Sequence, residues 1–359
     1  MENNISLENL GYTNEMKVYR REHQLEDFDV GRVLSEHKDR YVVQARSGAY
    51  EAELIGNLRF TAQTRADLPV VGDWVALSEY DRGKALIHAV YPRSSLIERQ
   101  AVGKVGEKQI IASNIDCGLI VQAVNRDFSI NRLERYLTIC HASNIQPVIL
   151  LSKIDLLEAA TVEEMLQQVK QRIKDVPILT LSNETGEGLA PVKSIIKKGK
   201  TYCLLGSSGV GKSTLLNTLS GRSHMTTSAI SASTDRGRHV TTHRELLVLK
   251  ESGCVIDNPG MREVGVVEDS GGLERTFDKI SSLAENCRFS DCTHAHEAGC
   301  AVLDALESGE LNSSEYEHYK KLEREQAHFT STLREKKEKD KQRGKHIRRV
   351  KEQRKKNKF

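Results

Sequence analysis

Residues 206–213, Gly206-Ser207-Ser208-Gly209-Val210-Gly211-Lys212-Ser213, have the spacing of a phosphate-binding loop, G-x-x-x-x-G-K-[ST]. Glycines in such a loop let successive backbone N–H groups turn inward around a β-phosphate. A helix beginning at the loop adds the positive end of its dipole. Lys212 can bridge β- and γ-phosphate oxygens, Ser213 can ligate Mg²⁺, and Thr214 continues the same turn. A chance glycine-rich turn is the bland alternative. Against it stand an apolar strand pattern just before the loop, Thr201 to Leu205, and a helical pattern after it, Ser213-Thr214-Leu215-Leu216.

Three further clusters extend this chemistry. Asp257-Asn258-Pro259-Gly260 fits D-x-x-G, the motif that follows the phosphate loop in GTPases. Asp257 ends a strand pattern, Gly253 to Ile256, where it can hold Mg²⁺ through water, and the Gly260 N–H can sense a γ-phosphate. Between the two motifs lies Arg236-Gly237-Arg238-His239-Val240-Thr241-Thr242. A threonine hydroxyl from this segment can complete the Mg²⁺ shell, Thr241 first and Thr242 in reserve. Met261 follows Gly260, where a glutamine commonly orients the attacking water. His239 is the candidate replacement, with a structural or RNA-contacting histidine as the competing role.

Ser152-Lys153-Ile154-Asp155 is a guanine-reading candidate. Asp155 can accept two hydrogen bonds from guanine, a pattern adenine does not offer, and the Lys153 stem can pack over the base. Ser152 stands where such motifs usually carry Asn, so weaker bracing of the loop is expected. Leu181-Ser182-Asn183, after the next strand pattern, occupies the place of a second base-contacting loop, with Ser182 as the contact. The guanine motif precedes the phosphate loop instead of following both phosphate motifs. That order is a GTPase core read from a different starting point, a circular permutation.

Cys287-x₄-Cys292-x-His294-x₅-Cys300 offers three thiolates and one imidazole within 14 residues. Such a set suits a closed, tetrahedral, structural Zn²⁺ site. His296 is the competing imidazole, and a cluster of ordinary thiols is the metal-free alternative. Cys117, Cys140, Cys203 and Cys254 are scattered through apolar segments and read as inert core thiols. This usage suits a reduced, intracellular protein.

The elements that must position these groups are multidomain α/β in pattern. Residues 1–28 are polar and read as a flexible arm. Residues 29–100 carry short strand patterns, including Tyr50 to Leu54, Asp73 to Leu77 and Ala85 to Val90, with Gly48, Gly72 and Gly83 between them. Five short strands in about 70 residues suggest a small barrel of the OB type, with another small barrel as the alternative. Residues 101–275 alternate strands and helices in a doubly wound rhythm, with the motifs just beyond strand C-terminal ends, where such sheets bind ligands. Residues 276–359 hold the cysteine/histidine cluster and then a helical, basic tail.

Charge divides the same way. Residues 333–359 hold 14 Lys/Arg against 4 Asp/Glu, while the rest of the 359-residue chain has 39 against 46. An acidic body with a basic tail suggests a polyanionic partner, against the alternative of a merely solvated tail. No apolar run approaches the ~20 residues of a membrane span and no signal peptide is read, so a cytoplasmic protein is expected. Nothing demands a dimer, and a monomer is expected. The competing functions are an RNA-bound scaffold with nucleotide binding but negligible turnover, and a general P-loop ATPase. The guanine motif, with no long apolar Walker B strand bearing paired acids, weighs against the latter.

With these residues in hand, the chain resembles the RsgA (YjeQ) family of circularly permuted small-ribosomal-subunit biogenesis GTPases. The resemblance rests on motif order, Gly237-Arg238-His239 before the threonines, the Asp257–Gly260 motif and the Cys-Cys-His-Cys spacing. Asn114-Ile115-Asp116 and Asn131-Arg132-Leu133 also look like the family's core. It implies an OB-like barrel, a permuted P-loop GTPase domain and a zinc subdomain. It further implies GTP hydrolysis to GDP stimulated by the 30S subunit in its late maturation, with the barrel, the 236–242 segment and the C-terminal region on 16S rRNA. The family's proposed catalytic histidine falls on His239. Val240 departs from the usual threonine run, as Ser152 departs from Asn.

Overall fold

The computed structural model describes residues 5–37, 40–62, 64–100, 108–221, 244–250, 252–257 and 271–330. The segment read as an arm is folded in its described part. A 3₁₀ turn at Glu8–Leu10 leads to helix α1, Asn14–Glu22, with Thr13 as its N-cap. Leu7, Leu10 and Tyr12 are buried in the main core beside Trp74 and Tyr91. The composition of the segment is polar, but these three apolar side chains find a surface supplied from elsewhere in the chain.

The barrel follows. Strands β1 (Asp29–His37), β2 (Arg40–Ala45), β3 (Ala49–Leu54), β4 (Trp74–Asp81) and β5 (Lys84–Val90) close on themselves, with short helix α2 (Gly56–Thr61) between β3 and β4. β1 pairs antiparallel with both β2 and β4, and β3 runs parallel to β5. Alternation in β3 is what the sequence dictates: Tyr50 and Ala52 are buried, Glu51 and Glu53 exposed. Val33, Val43, Val75, Leu77 and Ile87 fill the interior with them. This is the five-stranded OB-like barrel that the strand patterns suggest, its strands running from Asp29 to Val90.

A ribbon of β6 (Leu96–Gln100) and β7 (Lys108–Ser113) leads out of the barrel. Two buried polar networks fix the junction. Asp73, with no exposure, accepts from Arg93 at 2.8 and 2.7 Å and from the Val70 N–H at 2.9 Å. Arg32, 1% exposed, donates to the carbonyls of Leu10, Gly72 and Asn114 and lies over the Trp74 ring. A buried guanidinium needs its donors satisfied, and here they join the N-terminal segment, the barrel and the start of the nucleotide core.

The core sheet is doubly wound. Strand β8 (Cys117–Ala123) is followed by α3 (Ile130–Ala142), β9 (Gln146–Ser152), α4 (Ala159–Arg172), β10 (Ile178–Leu181), α5 (Leu189–Ile195), β11 (Thr201–Leu205), α6 (Lys212–Ser220), β12 (Glu245–Val248) and β13 (Cys254–Asp257). The spatial order is β10-β9-β8-β11-β13-β12, parallel except for β12. Every residue of β8 and of β11 is buried, as a central parallel strand requires. Cys117, Cys140, Cys203 and Cys254 are all buried free thiols, as read from their apolar settings. β12 also meets β1 at Ser35 opposite Glu245, so barrel and core share one continuous sheet.

The remaining helices are α7 (Gly272–Thr276), α8 (Asp278–Ala284), α9 (Ala301–Glu307) and α10 (Ser313–Thr330). Leu273, Phe277, Ile280, Val302, Leu311 and Leu322 form their own small core. α10 docks on α3 and α4 through a buried ionic cluster. Glu134, 2% exposed, meets Arg172 at 2.5 Å and His318 at 2.6 Å, and Arg135 makes a bidentate pair with Glu325 at 2.5 and 2.6 Å. Removing one partner of such a buried pair strands the other charge, at a cost of about 3–5 kcal/mol. Nearby, His141 Nδ1 lies 3.0 Å from Thr276 Oγ1. Burial, with the Arg275 guanidinium beside it, pushes the His141 imidazole down to about 4, so it is neutral in this contact. The helical start of the basic tail is therefore present as α10, while residues 331–359 lie outside the described residues.

Candidate nucleotide site and metal centre

The chain runs from β8 to β9 and β10 in one direction and from β11 to β13 in the other. The switch point of the sheet is therefore between β8 and β11, where α/β sheets open a crevice at their carboxyl ends. Register brings the motifs to that edge. Ser152 ends β9 opposite Ala123 and Leu181, Leu205 ends β11 opposite Ile120, and Asp257 ends β13 opposite Leu204. Four motifs scattered over 106 residues of chain thus form one row, despite their permuted order.

The phosphate loop leaves β11 at Gly206 and enters α6 at Lys212. Gly206 has φ +143°, and a Cβ there would sit 2.3 Å from the Val121 carbonyl oxygen, so only glycine lets the loop cross β8 so closely. Val210 is buried under the loop, while Ser208 and Gly209 are exposed at its tip and Ser207, Gly211 and Ser213 are half-buried. Lys212 Nζ donates to the carbonyls of Gly206 at 2.8 Å and Ser207 at 2.6 Å. Those bonds hold the ammonium over the mouth of the loop. Ser213 starts α6 beside Lys212, and Thr214 is exposed on the first turn. Asp257 is 3% exposed at the end of its strand.

The two loops after β9 and β10, read from the sequence as guanine-contacting, are tied to each other and to the phosphate loop. Lys153 takes a left-handed conformation, φ +62°, which turns the chain into the short 3₁₀ segment carrying Asp155. Ser182, fully buried, donates its hydroxyl to Asp155 Oδ1 at 2.5 Å and accepts from the N–H groups of Glu184 and Thr185. The Ser182 hydroxyl thus orients the aspartate. Ser152, also fully buried, donates to the Val210 carbonyl at 2.7 Å. A serine hydroxyl at this position thus reaches the phosphate loop through a single bond. Asn183 was passed over as a site residue, yet its Nδ2 donates to the Gly211 carbonyl at 3.2 Å. An amide placed directly after Ser182 was the signal available in the sequence. His239, Thr241, Thr242, Gly260 and Met261 lie outside the described residues.

Cys287, Cys292, His294 and Cys300 come together, with one ligand atom from each lying within 4.8 Å of all the others. Cys287 Sγ is 3.9 Å from Cys300 Sγ and 3.6 Å from His294 Nδ1, which is 3.4 Å from Cys300 Sγ. A tetrahedral ion with Zn–S of about 2.3 Å and Zn–N of about 2.0 Å needs edges of about 3.8 Å and 3.5 Å. The donor set fits in chemistry and in size. His294 is buried and inside the cluster, whereas His296 is exposed. Burial, with the Lys320 ammonium nearby, pushes the His294 imidazole below its usual range and favours the neutral, ligating form.

The loop is held from two sides. Glu297 accepts from the N–H groups of Thr293, Ala295 and His296 and from the Thr293 hydroxyl. These bonds, the Thr293 hydroxyl first among them, keep its carboxyl well below the usual range. From α10, Tyr316 donates to the His294 carbonyl at 2.5 Å and Lys320 to the Thr293 carbonyl at 2.8 Å. One helix therefore grips both the metal loop and α3 of the nucleotide core.

Comparison with known proteins agrees with this geometry. Residues 90–267 match the RsgA GTPase family model, and residues 201–339 match that of the 50S ribosome-binding GTPases. The chain is 42% identical over 299 residues to small ribosomal subunit biogenesis GTPase RsgA 2 of Lactiplantibacillus plantarum, covering 83% of this chain and 84% of that protein. It is 38% identical over 339 residues to RsgA 1 of Bacteroides thetaiotaomicron, covering 94% of each. Among solved structures, YjeQ from Thermotoga maritima superposes with a TM-score of 0.60 at 27% identity, over 82% of this chain and 96% of that one. Similarity of this degree along nearly the whole length, on a sheet with the permuted motif order, makes the chain a member of the RsgA GTPase family.

Proposed function

We propose that the protein binds GTP with Mg²⁺ at the β8/β11 crevice, hydrolyses it to GDP and phosphate, and does so on the small ribosomal subunit during its late maturation. The observation that carries this reading is the row of strand ends. It supports the reading by bringing to one edge the strand ends that lead to Asp155 and to the phosphate loop, together with Asp257. Phosphoryl transfer of this kind depends on positioning and electrostatics more than on covalent chemistry. Gly206 to Gly211 supply N–H donors for the β-phosphate, and Lys212 spreads positive charge toward the β/γ bridge. Ser213, Asp257 and a switch threonine, Thr241 or Thr242, hold the ion, which neutralises charge developing on the phosphates. Asp155, braced by Ser182, reads guanine, and Lys153 covers the base. His239 is assigned to the attacking water and Gly260 to the γ-phosphate.

In the same reading, Cys287, Cys292, His294 and Cys300 hold one structural Zn²⁺, and the domain limits are 29–100, 101–275 and 276–359. The barrel, the 236–242 segment and the basic C-terminal region contact 16S rRNA. The relatives are named for small ribosomal subunit biogenesis, and among the described residues no helix is long and apolar enough to cross a membrane. The protein is placed in the cytoplasm as a monomer.

Nucleotide state has a physical route to the RNA. β12 follows residues 236–242 in the chain and is hydrogen-bonded to the barrel through β1. Cosedimentation with 30S subunits is expected to show binding at least tenfold tighter with a non-hydrolysable GTP analogue than with GDP. Equal binding in the two states contradicts nucleotide control of the RNA contact.

A further inference from the structure

We propose that Asn183 is the positioning residue that, together with Ser152, ties guanine reading to phosphate binding in this chain. The inference rests on the guanine-nucleotide reading of the site. Two consecutive carbonyls of the phosphate loop are held from the base side. Ser152 Oγ, at the end of β9, takes Val210, and Asn183 Nδ2, after β10, takes Gly211. A serine has one hydroxyl donor, whereas an amide has two. Ser152 therefore satisfies one carbonyl and cannot span to the next. The second donor arrives from the neighbouring loop, as the amide of Asn183.

The loop is shaped to receive it. Gly211 has φ +95°, and a Cβ at that position would stand 3.0 Å from Asn183 Nδ2, tighter than an ordinary contact. The glycine thus serves both the turn and the approach of the amide. The adjacent Ser182 donates to Asp155. One short segment, Ser182-Asn183, consequently orients the guanine-binding carboxylate and grips the carbonyl just before Lys212. Displacing this segment moves the base contact and the phosphate contact together.

Asn183 also differs from a residue retained for stability alone. Its Oδ1 is buried with no hydrogen-bond partner among the described residues, a position that costs folding free energy. Truncating the side chain removes that cost along with the donor. Asn183→Ala should therefore leave thermal unfolding of the nucleotide-free protein within about 2 °C of the parent, since the loss of one donor and the relief of one acceptor oppose each other. Affinity for a fluorescent GDP should nevertheless fall by about tenfold, the factor that corresponds to loss of one hydrogen bond's worth of preorganisation.

The test is titration of the full-length protein with fluorescent GDP and ADP, in the parent, in N183A, and in N183A carrying S152N. An amide placed at position 152 is expected to return GDP affinity to within about threefold of the parent, because it supplies two donors on the base side. N183A binding GDP as tightly as the parent overturns the proposal. So does a double variant no better than N183A alone. A parent protein that binds ADP as well as GDP overturns the guanine reading itself, which the first two outcomes leave standing.

Discussion

Lys212→Ala is expected to lower GTP turnover by on the order of 10²–10³-fold, as loss of a single preorganised charge donor does in other sites. The expectation follows from the position of the ammonium. Its bonds to the Gly206 and Ser207 carbonyls hold it across the mouth of the loop, where the proposed function puts the β- and γ-phosphate oxygens. The side chain is half-buried at the helix start and takes no part in the three large hydrophobic clusters. Folding should therefore change little, and thermal unfolding within a few degrees of the parent is the control. The measurement is phosphate release at saturating GTP. A variant with turnover within tenfold of the parent removes Lys212 from the phosphate contacts, whereas one that loses turnover yet keeps biological activity favours the scaffold role, in which nucleotide is bound but hardly turned over.

Stripping the metal should have the larger effect on structure. The helical module after residue 271 has a small core of its own, Leu273, Phe277, Ile280, Val302, Leu311 and Leu322 among its members. Domains this small need staples. Cys300 is both a member of that core and one of the four clustered candidate metal ligands, and it precedes α9 as its N-cap residue. Structural zinc in such donor sets has apparent binding free energies of about 10–16 kcal/mol near neutral pH, and that energy is folding energy. Cys300→Ser is expected to abolish stoichiometric zinc binding and hydrogen-exchange protection over 276–330, while β8, β9 and β11 keep theirs. Because Tyr316 and Lys320 of α10 grip the metal loop while His318 pairs with Glu134 of α3, exchange should also rise at the α3 surface. Undiminished protection over 276–330 in a zinc-free variant contradicts a folding role for the ion.

Much of this was legible in the residues. The strand Thr201–Leu205, the loop after it and the helix from Lys212 follow from an apolar run, glycine spacing and helix-forming residues, which are local signals. The barrel's alternation at Tyr50, Glu51, Ala52 and Glu53 is local too. The N-terminal segment was not legible, because its burial depends on Trp74, Tyr91 and the Arg32 guanidinium, all supplied by the barrel and its rim. Contacts across the sheet were equally hidden. Ser152 reaching Val210 and Asn183 reaching Gly211 join residues 58 and 28 positions apart, and only the sheet order brings them together. The choice between His294 and His296 likewise needed burial, which spacing alone does not give.

The most direct test of the account is phosphate release from GTP and from ATP, each with and without purified 30S subunits. The account predicts turnover of GTP alone, raised at least tenfold by 30S subunits, with ATP inert under both conditions. Equal turnover of ATP contradicts guanine reading by Asp155, and GTP turnover indifferent to 30S subunits contradicts the ribosomal role.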